Sequence, residues 1–250
     1  MSDPVNRGDP DSFQSSAPAG VRTTGRPSVD ATEIILVRHG EAICNVEGVI
    51  GGVLGCTGLT DRGVGQVEAL AERLSRTGEL GGVDALYSSV LPRARQTAAI
   101  LAPALDRWRD GPPLGIQTDC DICELHPGEA DGLTWAQYGA AFPAIDWDKQ
   151  PTQQLAPGGE SWLEFVGRAS TAVRAIALRH PGERVVLTCH AGVVESAILR
   201  FLPISKDVVR LKLHTTHASM TRFDLMDGEW HLRRYNDATP TFVPQLPQQA

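Results

Sequence analysis

No run of apolar residues in this 250-residue chain reaches the length of a membrane span. The N-terminus also lacks the basic-then-apolar order of a secretory signal, so no membrane partner is expected. Positive charge is not in excess: 23 Lys and Arg stand against 30 Asp and Glu, a formal net charge of −7. That balance argues against nucleic acid and anionic membrane surfaces as partners, although a local arginine cluster can still hold a small anion. Cysteine is sparse, and its 5 residues fall at irregular places rather than in a disulfide framework. A reducing cytoplasm is therefore the expected setting. No repeat recurs at a fixed period.

With 42% hydrophobic and 21% charged residues, the balance is that of an ordinary globular protein. The length suits one large α/β domain or two small ones. Residues 1–30 are rich in Ser, Pro, Gly, Asp and Arg and are expected to form a disordered extension. A folded domain is expected over 31–238, and a loose Pro- and Gln-rich tail over 239–250.

The stretch around which the rest is arranged is Ile34-Ile35-Leu36-Val37-Arg38-His39-Gly40-Glu41. Four apolar residues, three of them β-branched, read as a strand buried on both faces, as in a parallel sheet. It delivers Arg38 and His39 at its carboxyl end, where open α/β sheets bind ligands. The guanidinium is a permanent fork for phosphate oxygens, and the imidazole is a base or nucleophile near neutral pH. A glycine-dense loop from Cys44 through Gly58 follows, its place suited to wrapping a ligand in main-chain amides. Thr60 is placed to cap a helix whose apolar face is Val64, Val67, Leu70, Ala71 and Leu74.

Further strands are expected at 83–89 and 114–118, with a helix from Val90 to Leu101 stopped by Pro103. Arg93 lies in the first turns of that helix, where a cation is out of place unless an anion lies in front of it. Arg95 reads as solvated. An acidic loop around Glu124 could supply a proton donor. Thr134 caps a short helix over 135–141, and an amphipathic helix runs over 160–180. The strand Arg184–Cys189 then repeats the opening device, ending in His190-Ala191-Gly192 before a helix over 193–202. A hairpin is expected at 220–235, turned at Asp227-Gly228. The fold class is α/β: a three-layer sandwich, its central sheet mostly parallel, with an antiparallel addition near the C-terminus.

Two arginines and a histidine can grip three phosphate oxygens while a second histidine attacks phosphorus, and such a site calls for no metal and no cofactor. In this the chain resembles the histidine phosphatase superfamily, also called phosphoglycerate-mutase-like. The matching motifs are Arg38-His39-Gly40-Glu41 with Asn45, Leu59-Thr60-Asp61-Arg62-Gly63, Ser88-Ser89-Val90-Leu91-Pro92-Arg93-Ala94, Glu124 before its acidic glycine loop, Gly158-Gly159-Glu160-Ser161 and Cys189-His190-Ala191-Gly192. They stand in the family's order.

The resemblance implies His39 as the nucleophile that becomes a phosphohistidine. It implies Arg38, Arg93 and His190 as holders of the phosphoryl group, and Glu124 as proton donor and then base. Asn45, Ala191 and the amides near Gly51 and Gly52 would contact substrate; Ala191 stands where the family usually has glycine. The interval from Glu124 to His190 matches the phosphatase branch, whereas the resembling mutases carry a long insertion there. The expected activity is metal-independent hydrolysis of a small-molecule phosphate ester. A phosphoglycerate mutase and a non-catalytic regulatory member are the alternatives, and a homodimer is left open.

Of the remaining motifs, Cys120-x-x-Cys123 has no evident second ligand pair in the sequence and reads as bland. His126 reads as a solvated loop residue. His214 and His217, three apart on a supposed strand, would face opposite sides, with His217 near the pocket rim. Trp162 and Trp230 read as core.

Overall fold

The computed structural model describes residues 31–239. The expected N-terminal extension and the tail from 240 onward lie outside the described residues.

Six strands form one sheet in the order β3-β2-β4-β1-β5-β6: β1 Thr32–Arg38, β2 Ala85–Ser89, β3 Ile116–Asp119, β4 Arg184–Cys189, β5 Ser219–Met226 and β6 Glu229–Ala238. The first four in that order run parallel, and β5 pairs antiparallel with β1 and β6 with β5. The β5–β6 turn falls at Asp227-Gly228, both at positive φ (51° and 80°), the backbone that a tight two-residue hairpin requires.

Alternation along β1 divides the core into two layers. Ile34 and Leu36 pack with Phe165, Val173, Val193 and Phe201, on helices α5 (Trp162–Arg179) and α6 (Ala191–Phe201). Ile35 and Val37 pack with Val67, Leu70, Ala98 and Leu101, on helices α2 (Asp61–Thr77) and α3 (Pro92–Asp106). A strand buried on both faces needs apolar side chains at every position, which is how 34–37 reads in the sequence.

Three local expectations need correction. The loop after β1 contains a short helix, α1 (Ile43–Glu47), ended by Gly48 in the left-handed conformation. The third helix starts at Pro92 and runs through Pro103 to Asp106. Proline costs it one hydrogen bond in its last turn, but continuing the helix buries Ala104 and Leu105. The residues around His214 and His217 form no strand. The helix α4 (Trp135–Ala141) is capped by Thr134 as its sequence indicates.

Candidate active site

β1 and β4 lie side by side with Arg38 opposite Cys189, so the two strand-ending histidines emerge together. The amide of His39 donates to Cys189 O at 3.0 Å, and the two imidazole centroids are 5.1 Å apart. The chain leaves β1 toward β2 and returns through β4 between them, which makes this edge the topological switch point of the sheet.

The protonation of both rings follows from their partners. His39 Nδ1 lies 2.6 Å from Gly40 O. A carbonyl only accepts, so Nδ1 carries the proton and Nε2 presents a lone pair. Arg93 Nε donates to that Nε2 at 3.1 Å and to His190 Nδ1 at 3.3 Å. His190 therefore carries its proton on Nε2, 2.9 Å from Ser89 Oγ. Both rings are buried. Burial, then the charges nearby (Arg93 foremost), holds both well below the usual histidine range. His39 is thus a neutral nucleophile at physiological pH.

Arg93 is buried because Pro92 starts α3 at the sheet edge and the guanidinium runs inward. Its Nη1 donates to Gly51 O at 2.7 Å. Arg38 Nη1 donates to Thr215 O, while its Nε is buried and has no acceptor among the described residues. An arginine N–H that ends a strand beside a nucleophile, with nothing to donate to, suits an incoming anion. Burial, the largest influence, lowers the Arg38 pKa, and Glu124 opposes that.

Glu124 follows a 3-10 turn (Cys120–Ile122) anchored by buried Ile122. Its carboxylate accepts from Leu125 N and from Gly192 N in the first turn of α6, both at 3.2 Å. A Cβ on Gly192 would lie 2.2 Å from Glu124 Oε1, so only glycine admits the carboxylate there.

These groups open into one cavity of about 310 Å³, lined by Arg38, His39, Asn45, Gly51, Gly52, Arg93, Glu124 and Ala191 among others. All the residues expected at the site line this cavity except His190, which touches Arg93 and His39 without reaching it. Two of these residues also make contacts within the protein. The Gly52 amide donates to Asp131 Oδ1 at 2.9 Å and is not free for substrate. Asn45 Oδ1 accepts from Ala42 N at 3.1 Å, bracing the short helix α1.

Other residues stand around the site, and of these the sequence singles out only Trp162, as core, and His217, near the pocket rim. Trp135, Trp147, Leu155 and Trp162 also line the cavity. Trp147 and Leu155 fall in the aperiodic segment 142–159, where no pattern betrays which side chains turn inward. His217 packs 5.7 Å from the His39 ring. Its Nε2 is buried without a partner among the described residues, and burial followed by Arg38 lowers its pKa to about 4.

The chain matches the family model of the histidine phosphatase superfamily (branch 1) over residues 34–238. It belongs to that superfamily. It is 33% identical over 216 residues to phosphoglycerate mutase-like protein 4 of Arabidopsis thaliana, covering 84% of this chain and 87% of the relative. It is 32% identical over 213 residues to a metal-independent phosphoserine phosphatase of the same plant, covering 84% and 83%. Among solved structures, a mycobacterial glucosyl-3-phosphoglycerate phosphatase in complex with VO3 superimposes with a TM-score of 0.68 at 26% identity. That match covers 82% of this chain and 99% of the mycobacterial one. This histidine phosphatase is a phosphoric monoester hydrolase.

Proposed function

We propose that the enzyme hydrolyses a small phosphate monoester through a phosphohistidine on His39, with Arg38 and Arg93 gripping the phosphoryl oxygens and His190, expected among these holders, bracing Arg93 from behind. The observation that carries this reading is the fixed tautomer of His39: Nδ1 tied to Gly40 O, Nε2 unprotonated beside Arg93. In the first step Nε2 bonds to phosphorus as the ester P–O bond breaks, and Glu124 in its protonated form gives its proton to the leaving oxygen. In the second, the Glu124 carboxylate takes a proton from water, the new O–P bond forms and the N–P bond breaks. Charge neutralisation by the two arginines supplies the electrophilic assistance.

The cavity walls also support a substrate class. Among the described lining residues, Arg38 and Arg93 are the only permanent cations, and both sit at the phosphate end. Phosphoserine and glucosyl-3-phosphoglycerate, the esters named for two relatives, carry a carboxylate that this wall offers no further cation to meet. Val49, Ile50, Trp135, Trp147 and Leu155 instead favour a leaving group with an apolar or flat face.

Phosphate release from a panel of esters in EDTA tests both levels. Metal-independent release that disappears in His39→Ala, and falls about 10²–10⁴-fold in Glu124→Gln, is expected. Aryl and alkyl phosphates should outrun phosphoserine and phosphoglycerate in kcat/KM. Primer-dependent isomerisation of phosphoglycerate without hydrolysis would show the mutase alternative instead.

A further inference from the structure

Beside the catalytic cavity, and sharing Glu124 in its wall, lies a second hollow of about 320 Å³ lined by Cys120, Cys123 and His126. The sequence shows only the Cys-x-x-Cys pair there, with no evident further ligands. The fold brings His126 to it, so that two sulfurs and one imidazole nitrogen lie within 4.8 Å of one another. We propose that Cys120, Cys123 and His126 form a binding site for one thiophilic divalent cation of the Zn²⁺ type.

Ligand atoms around tetrahedral zinc sit about 3.5 Å apart, given bonds of roughly 2.3 Å to sulfur and 2.0 Å to nitrogen. Cys120 Sγ is already 3.7 Å from His126 Nε2. The other ring nitrogen, Nδ1, faces Glu160 Oε2 at 3.7 Å. A carboxylate behind a histidine is the usual support of a metal-bound imidazole, since it fixes ring and tautomer. Glu160 is itself held by Arg168, with both contacts at 2.7 Å. The same guanidinium collects the carbonyls of Cys120, Asp121 and Cys123 at 3.4, 2.8 and 3.3 Å, so the ligand loop is shaped in advance. Cys120 is exposed, which gives an ion an entry path and leaves a fourth position open to water.

The ion would stand outside the phosphoryl chemistry but close to it. Cys123 Sγ accepts from Ser89 Oγ at 3.1 Å, and Ser89 supports His190.

The test uses the full chain without an affinity tag, fully reduced, stripped of metal and titrated with Co²⁺. A thiolate-to-cobalt charge-transfer band should saturate at one equivalent and be bleached by one equivalent of Zn²⁺. Cys120→Ser should abolish the band while leaving phosphate release in EDTA unchanged, and Cys56→Ser should keep it. If Cys120→Ser does not fold, His126→Ala carries the same test, with loss of saturation at one equivalent expected. No band at one equivalent, or a band that survives Cys120→Ser, overturns the proposal. The band is read without substrate, so its absence leaves the phosphatase reading untouched.

Discussion

His39 is set up by groups from three elements: the carbonyl of Gly40 after β1, the guanidinium of Arg93 from α3, and the ring of His190 after β4. A consequence for pH follows from His217 beside it. Its folded pKa is about 4, against about 6.5 in an unfolded chain. Between those values the unfolded state binds a proton that the folded state refuses, so stability falls as pH drops from about 6.5 to about 4 and levels off below. His39 and His190, also lowered, act in the same direction. His217→Gln should flatten the acid side of a plot of Tm against pH; superimposable curves for the two proteins would contradict this. At this scale Arg38, His39, Arg93 and His190 are legible in the sequence because each is a charged or titratable group where a buried strand or a helix begins or ends. His217 is expected near the pocket rim, but its pairing with the His39 ring is not legible, because it depends on an irregular segment and not on the supposed strand. Nor could the sequence show that Gly52 gives its amide to Asp131, 79 residues away.

Among the elements, α6 and the Glu124 turn touch through Gly192. A methyl at that position would lie 2.2 Å from Glu124 Oε1 and 2.8 Å from the Phe165 ring, so the carboxylate must shift. Gly192→Ala should lower kcat on the order of 10²-fold, the effect of displacing a catalytic group by about 1 Å. Steady-state kinetics on an aryl phosphate measure it, and unchanged kcat would mean that Glu124 is not held by this contact. The helix α2 packs on the Gly40-Glu41 turn that follows His39. Its cap Thr60 accepts from Gly63 N at 2.9 Å and donates to Glu41 Oε1 at 3.0 Å. Thr60→Ala should cost about 1 kcal/mol in urea denaturation, with kcat changed much less. Helix caps such as Thr60 and Thr134 are readable because they act within one turn. The end of α3 is not readable in this way, because burial of Ala104 and Leu105, a tertiary gain, outweighs what Pro103 removes locally.

Across the whole molecule, β1 and β4 carry catalytic groups at one end and a buried ion pair at the other. Glu33 and Arg184 are register partners, and Arg184 also donates to Gly81 O at 2.6 Å. Replacing Arg184 leaves the buried Glu33 carboxylate with the looser contact of Arg222 Nη1 at 3.8 Å, so Arg184→Met should cost about 3 kcal/mol, and Glu33→Leu with Arg184→Met should recover most of it. Equilibrium unfolding of the three proteins decides this, and equal losses in the single and double variants would contradict it. The class of fold is legible from strand–helix alternation. The adjacency of β1 and β4 is not, because about 150 residues separate them and nothing local states their order in the sheet.

The account's central claim is a covalent phosphoryl group on His39. The most direct test is rapid quenching of the wild-type enzyme with a phosphate-labelled aryl ester, followed by peptide mapping under alkaline conditions that preserve phosphohistidine. The account predicts an acid-labile phosphoryl group on the peptide containing His39, accumulating in Glu124→Gln if its second step is the slower one. Label confined to the His190 peptide, or turnover with no labelled histidine in either protein, would contradict it.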